Sequence, residues 1–396
     1  MRKGMQREIF ESPLSSEEDL TRSTGLRASI STILSFKKWP VDSCEWESYF
    51  DDSGQLLKSR DYISAQIMER GLDPSAKLEA WKFLTGYYSW RSTYDERLVV
   101  NSRRRKNYES LCNMCEKIQP LLESALQDFL EVQNSIKSDV QRLYLKDAQG
   151  NTLVDKNQLE KILLLNYMCN VEVGMEYQQG FHEMLLLFRL LVEKEHEIYW
   201  LFQFFLQKTE NSCIMNLGVE KNLIMLRYLI AFMDPVLAKH LDKKGQVVKS
   251  LCPWFCLCFQ RVLKSFDDVW RLWEVFLTRL PCRNFQVMVA YTLLQLVRDQ
   301  VLREDMSEED ILMLCNNIAD LDADELITKA SSIYELLLKY KDKLDAQLVV
   351  SVGARLLKIK ISKHEREKIA NEVERGCPPN CDMLKVTLTR VGRTLI

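Results

Sequence analysis

An all-α fold is expected for this chain of 396 residues on three grounds. Apolar residues recur at three- and four-residue spacing along most of it. No stretch of useful length alternates apolar and polar as a half-buried strand does. Only 13 Gly and 9 Pro punctuate the sequence, so the segments between breaks suit helices better than short strands. With 46% hydrophobic and 28% charged residues, the chain can bury a large core, or two lobes.

The elements follow in order. Residues 1–35 are rich in Ser and charge with weak periodicity, and order is expected to start near Trp39 and Pro40. The run 44–57 reads as a short helix, then a turn at Asp52-Ser53-Gly54. Tyr62, Ile63, Ile67 and Met68 set a helical face over 59–69; Gly71 stops that helix and Asp73-Pro74 starts the next. Residues 76–90 carry Leu78, Trp81, Phe83 and Leu84 in a buried helix ending at Gly86. A long helix follows from about Glu96 to Leu122, basic at Arg103, Arg104, Arg105 and Lys106 and apolar later. The next helix holds IKSDVQR at 136–142. A polar break at 146–151 precedes a helix over 156–169, and 171–176 is a loop.

From Gln178 onward the chain turns strongly apolar, with FHEMLLLFRLLV and IYWLFQFFL as core helices. Asp234-Pro235, Gly245 and Pro253 mark boundaries. WFCLCFQRVL and DDVWRLWEVFL are expected as two buried helices and 284–297 as another. DMSEEDILMLCNNI and DADELITKASSIYELLL are amphipathic with acidic first turns, which the helix dipole favours. The expected division is a polar leader over 1–45, a helical domain over 46–345 with its motif-bearing core at about 71–282, and a basic tail over 346–396.

Composition excludes several function classes. A net charge of −2 offers no electrostatic case for nucleic acid. There is no GxxxxGK[ST] loop, GxSxG or HExxH. Twelve cysteines in a chain this long do not make a disulfide scaffold; Cys252, Cys256 and Cys258 sit in an apolar run and read as small hydrophobes. Cys112 and Cys115 form a CxxC without the βαβ context of a redox motif, and Cys377 and Cys381 lie in the tail. The four histidines (His182, His196, His240 and His364) are too scattered for a hydrolytic metal site, so no metal is expected. The N-terminus has no apolar signal region and no run reaches the roughly 18 apolar residues of a spanning helix. A reducing, cytoplasmic setting is expected, with only peripheral membrane association.

Two short motifs carry the chemistry: IKSDVQR at 136–142 and YQQG at 177–180. Ile136, Val140 and Leu143 share one helical face and Arg142 lies off it. By itself Arg142 reads as a solvated helix arginine paired with Asp139 at i,i+3. Gln179 reads as a polar loop residue ahead of an apolar helix, and Gly180 as a position of close backbone approach or unusual dihedral. Aromatics such as Trp81, Trp254, Trp270 and Trp273 read as core. The run RRRK at 103–106 is a solvated helix face or a surface for an acidic partner or membrane.

In this order, and inside an apolar helical chain, the motifs resemble those of the TBC-domain proteins, which activate Rab GTPases. The resemblance covers roughly 46–345. An acidic-Trp segment and turn, EWESYFDDSG, opens it. KLEAWKFLTG follows, with Trp81 and Gly86 matching and Lys77 where arginine is usual. Then come Ile136, Asp139 and Arg142; then Tyr177, Gln179 and Gly180; then Trp254-Phe255; then RLWEVF, with Arg271 and Trp273 matching and Glu274 where aspartate is usual. Further departures flank the motifs: Leu143 for threonine, Glu176 for glycine, His182 for asparagine or serine. Within the family the wording is most similar to a short male germ-cell branch.

The resemblance implies a two-lobed helical domain that activates a GTPase in trans and is not itself an enzyme. Arg142 would stabilise charge on the transferring phosphoryl group and Gln179 would orient the attacking water. Ile136, Asp139, Tyr177 and Gly180 would support them; Trp81, Gly86, Trp254, Arg271 and Trp273 are structural. The partner is a GTP-bound Rab, which holds GTP and magnesium, so the chain needs no cofactor of its own. The implied location is the cytoplasm, transiently at vesicle membranes through the Rab, and in male germ cells the acrosomal region or cytoskeleton. The flanking departures motivate an alternative, a catalytically weak Rab-binding scaffold. A further one is an adaptor without Rab binding.

Overall fold

The computed structural model describes residues 39–144, 154–170, 177–209, 217–318 and 321–339. The first helices follow from residues that cap them. Asp42 accepts from the Glu45 N–H to start α1 (Ser43–Glu47). Ser59 starts α2 (Arg60–Arg70), which ends at Gly71 with φ 75°. Asp73 with Pro74 behind it starts α3 (Pro74–Thr85), which ends at Gly86 in a left-handed cap with φ 92° and ψ 16°. Thr93 and Glu96 form a reciprocal capping box on α4 (Tyr94–Ala125). Then come α5 (Gln127–Arg142), α6 (Lys156–Asn170), α7 (Phe181–Leu191) and α8 (Glu195–Lys208).

The later helices are α9 (Leu217–Met233), α10 (Pro235–Lys243), α11 (Val247–Ser250), α12 (Cys252–Cys256), α13 (Phe266–Thr278), α14 (Phe285–Arg303), α15 (Glu308–Asn316) and α16 (Ala323–Lys339). Among the described residues there is no strand, only two isolated bridges, Val41 to Leu72 and Phe50 to Leu56. Nor is any helix there long and apolar enough to cross a membrane. The all-α expectation therefore holds.

Helices α1 to α8 pack among themselves, α9 to α16 do likewise, and α13 packs against α2 and α3 as well as α16. That junction is aromatic. Trp273 of α13 lies 4.5 Å from Phe205 of α8, 5.8 Å from Phe188 of α7 and 6.4 Å from Trp81 of α3, measured between ring centres. All four rings are buried, so the largest apolar side chains fasten the early helices to α13.

Two expectations need correction. The leader expected over 1–45 is too long at its end, while order near Trp39 and Pro40 agrees with the structure: Val41 is fully buried, donates to the Gly71 carbonyl and accepts from the Asp73 N–H. Val41 is therefore part of the packed body. WFCLCFQRVL is not one helix: α12 stops at Cys256, and Cys258 (φ 47°) and Phe259 (φ 60°) turn left-handed. Residues 254–259 are buried on every side, so they present no helical periodicity to read. The buried Trp273 indole donates to the Cys258 carbonyl at 2.9 Å and fixes the turn. The leader's first 38 residues, the break at 146–151, the loop at 171–176 and the tail at 346–396 lie outside the described residues.

Candidate functional site

On α5, Phe129, Ile136, Asp139 and Val140 point inward. Three are apolar and anchor the helix; the fourth is a carboxylate only 6% exposed at its side chain. A buried carboxylate must find partners, and Asp139 has several. Oδ1 takes a charge-assisted bond from Arg142 Nη2, one turn on. Oδ2 accepts from the Tyr177 hydroxyl at 2.8 Å and lies 3.4 Å from His182 Nδ1. Arg142 Nη1 donates to Ser138 Oγ at 3.1 Å. The Arg142 side chain stays 57% exposed, so its guanidinium is held from beneath and presented to solvent. It occupies the last turn of α5, where the helix dipole favours a cation. Lys156 adds a second cation there, donating to the Gln141 carbonyl at 2.6 Å.

Tyr177 links the second motif to the first. Its ring meets Phe181 edge to face at 6.2 Å. Burial, with the bond to Asp139 adding to it, pushes the hydroxyl pKa far up, so Tyr177 stays protonated as a donor. Two residues on, Gln179 is exposed. Gly180 follows with φ 111° and ψ −13° and starts α7 without any side-chain cap. A Cβ there would stand 2.6 and 2.7 Å from the two methyls of Leu257. The dihedral calls for glycine, and an added methyl would in addition press on the end of the Leu257 side chain.

Beneath lies a layer the sequence does not announce. His182 is buried, 3.3 Å from the Tyr177 oxygen. Burial pushes its imidazole below the ordinary value, with Arg261 and Arg142 helping and Asp139 and Glu183 opposing. Glu183 takes two bonds from Arg261, at 3.0 Å from Nε and 2.7 Å from Nη2, and one from Gln260 at 3.1 Å. That grip holds the Arg261 pKa above its usual value. The only signal for His182 is its departure from the family wording. Glu183 and Arg261 have none, because they meet only through the turn misread as helix.

The remaining motif residues sit away from Arg142. Trp81 and Trp273 belong to the aromatic junction; Gly86 caps α3; the Trp254 indole donates to Asn316 Oδ1 at 2.9 Å. Arg271 donates to the Met68 carbonyl at 2.6 Å and to Asp324 Oδ1 at 2.7 Å, so it caps α2 and ties it to α16. Among the described residues no group of three or more His, Cys, Asp or Glu could hold a metal.

The helices, in this order, form an all-α domain in which the two motifs meet at one buried carboxylate. The chain belongs to the Rab-GTPase-TBC domain family, whose model matches residues 75–302. It is 61% identical over 318 residues to TBC1 domain family member 21 of Homo sapiens, covering 80% of this chain and 94% of that one. It is 27% identical over 303 residues to TBC1 domain family member 17 of Homo sapiens, covering 75% of this chain and 46% of that one. The fold matches the crystal structure of the Ypt/Rab-GAP domain of Gyp1p with a TM-score of 0.58 at 17% identity, over 75% of this chain and 98% of the other. It also matches the Chlamydomonas flagellar RabGAP TBC domain with a TM-score of 0.52 at 19% identity, over 81% and 96%.

Proposed function

We propose that this chain accelerates GTP hydrolysis by a Rab-family GTPase, supplying Arg142 and Gln179 in trans. The observation that carries this reading is the bond from the exposed Arg142 guanidinium to the buried Asp139 carboxylate, which also accepts from Tyr177 in the segment bearing Gln179. A guanidinium held at its base keeps its orientation when it meets phosphate, and little reorganisation remains to be made in the transition state. Arg142 neutralises charge growing around the β–γ bridge and γ-phosphate, and the Gln179 amide orients the attacking water. The Rab in its GTP-bound form holds nucleotide and magnesium. Contact with vesicle membranes follows from the Rab's own attachment.

The test is single-turnover GTP hydrolysis by a panel of Rabs with wild-type chain, Arg142→Ala and Gln179→Ala. Acceleration of at least one Rab, lost by about 10³-fold or more in Arg142→Ala, supports the reading. Binding of GTP-loaded Rab without acceleration would make the chain a Rab-binding scaffold. That second reading has one observation in its favour: His182, foreign to the usual motif, lies against Asp139.

A further inference from the structure

The proposed reaction leaves unused one titratable group beneath Arg142, and this inference rests on that reaction. His182 Nδ1 lies 3.3 Å from the Tyr177 oxygen and 3.4 Å from Asp139 Oδ2, and Nε2 lies 3.7 Å from Glu183 Oε1. The charged and titratable groups facing it are Asp139 and Arg142 of α5, Tyr177 ahead of α7, Glu183 of α7 itself, and Arg261 from the turn after α12. Two carboxylates and two guanidiniums cancel. A neutral imidazole therefore leaves a balanced cluster, whereas a protonated one adds a positive charge in a buried place.

We propose that His182 is a positioning residue for Arg142, acting through Tyr177 and Asp139, and that its protonation releases the arginine and lowers the activating power of the chain at acid pH. In the tautomer with its hydrogen on Nδ1, neutral His182 donates to the Tyr177 oxygen. Tyr177 donates to Asp139 Oδ2, and Arg142 is bound to Oδ1. Each link fixes the next. The incoming proton goes on Nε2, beside Glu183 Oε1, and the positive charge it brings turns the Nδ1–H from the Tyr177 oxygen toward Asp139 Oδ2, in competition with the Tyr177 hydroxyl. That charge also repels Arg142 and weakens the hold of the carboxylate on it. Burial keeps the imidazole pKa below its ordinary value, so the neutral, positioning form prevails at neutral pH and the change falls on the acid side.

A pH profile of stimulated hydrolysis tests this, with the Rab's unstimulated rate subtracted at each pH. The wild-type chain should show kcat falling by up to about tenfold per pH unit below the imidazole pKa, with KM unchanged. His182→Leu should lower kcat above the imidazole pKa, where the neutral ring positions Arg142, and lose the acid limb. His182→Asn, which hydrogen-bonds without titrating, should recover much of that loss and show no acid limb. An acid limb that survives in His182→Asn overturns the proposal. So does a limb carried by KM. A second readout needs no Rab: NMR titration of the whole chain, following the His182 ring protons and the Arg142 Nε–H. The Arg142 signal should move with His182 titration, and cease to do so in Asp139→Asn. An Arg142 signal that stands still while His182 titrates overturns the positioning role even if Rabs are accelerated. Coupled signals with no accelerated Rab would leave that role standing and overturn the activity reading alone.

Discussion

Lys77 Nζ stands 3.4 Å from Glu274 Oε1, with side chains 8% and 1% exposed. Both residues depart from the family wording, which has arginine at the first position and aspartate at the second. A shorter cation here meets a longer carboxylate, and the two departures face each other across one contact. The pair joins α3 to α13, and the other Glu274 oxygen accepts the Leu72 N–H at 3.2 Å. Lys77 also lies 5.0 Å above the Trp270 ring. Burial raises the Glu274 pKa and Lys77, the largest opposing influence, pulls it down.

Lys77→Met should therefore destabilise the fold by about 3–5 kcal/mol, because it strands a buried carboxylate. The cost should grow with pH. Without Lys77 the folded-state pKa of Glu274 rises further above its unfolded value. Stability is then kept while Glu274 holds a proton and lost as pH rises through the folded pKa. Urea unfolding at several pH values measures this. In a double-mutant cycle, Lys77→Arg with Glu274→Asp should be more stable than the sum of the single changes allows, by roughly 0.5–3 kcal/mol.

Tyr177→Phe removes the hydroxyl that binds Asp139 Oδ2 and keeps the ring against Phe181. The buried carboxylate then loses one of its donors, at about 1–3 kcal/mol of stability. If Arg142 acts as proposed, stimulated kcat should fall while KM for the Rab holds, since the hydroxyl is turned inward to Asp139. Stopped-flow phosphate release separates the two constants. Loss in KM alone would place Tyr177 at the docking surface instead.

Legibility in the sequence divides along chain distance. Helix ends are readable where local residues do the capping: Asp73 with Pro74, and Gly86, stand where their local chemistry puts them. The Asp139–Arg142 pair is readable for the same reason, since i,i+3 neighbours share a helix face. The Glu183–Arg261 clamp spans 78 positions and depends on a left-handed turn inside an apolar run. No periodicity signals such a turn, because residues buried on all sides look alike in helix and in irregular core. The Lys77–Glu274 pair escapes for a related reason. Each residue reads singly as a departure until the fold brings α3 against α13.

Gly180→Ala should disturb the site more than an alanine normally does. The backbone sits at φ 111°, and the added methyl would meet Leu257 at 2.6 Å. Strain of this kind costs of order 1–3 kcal/mol. Leu257 is buried, so Leu257→Ala has its own cavity cost of about 2–5 kcal/mol and serves as the reference: in that background the clash is gone and the dihedral cost remains, so Gly180→Ala should lower the melting temperature less than it does in the wild-type chain. No loss in that background would show that the contact alone demands glycine. The residual shift of the preceding residue, Gln179, should keep stimulated hydrolysis below wild type even in the double variant.

Acid should unfold the chain in two stages. His182 and His196 both have imidazole pKa values held below the ordinary 6.5, in each case by burial first. For such groups the unfolded chain binds the proton more readily, so stability declines as pH falls below about 6.5 and levels off beneath the folded-state values. Glu45 behaves in the opposite chemical sense with the same outcome. Hydrogen bonds from Arg70 hold its pKa below 4.5, so its contribution is present above that value and lost as pH falls through the folded one. Urea midpoints plotted against pH should fall first below about 6.5 and again below about 4.5. His182→Asn with His196→Asn should flatten the first decline and leave the second. If both declines persist in the double variant, the first belongs to other groups, and burial of the two imidazoles does not govern acid stability.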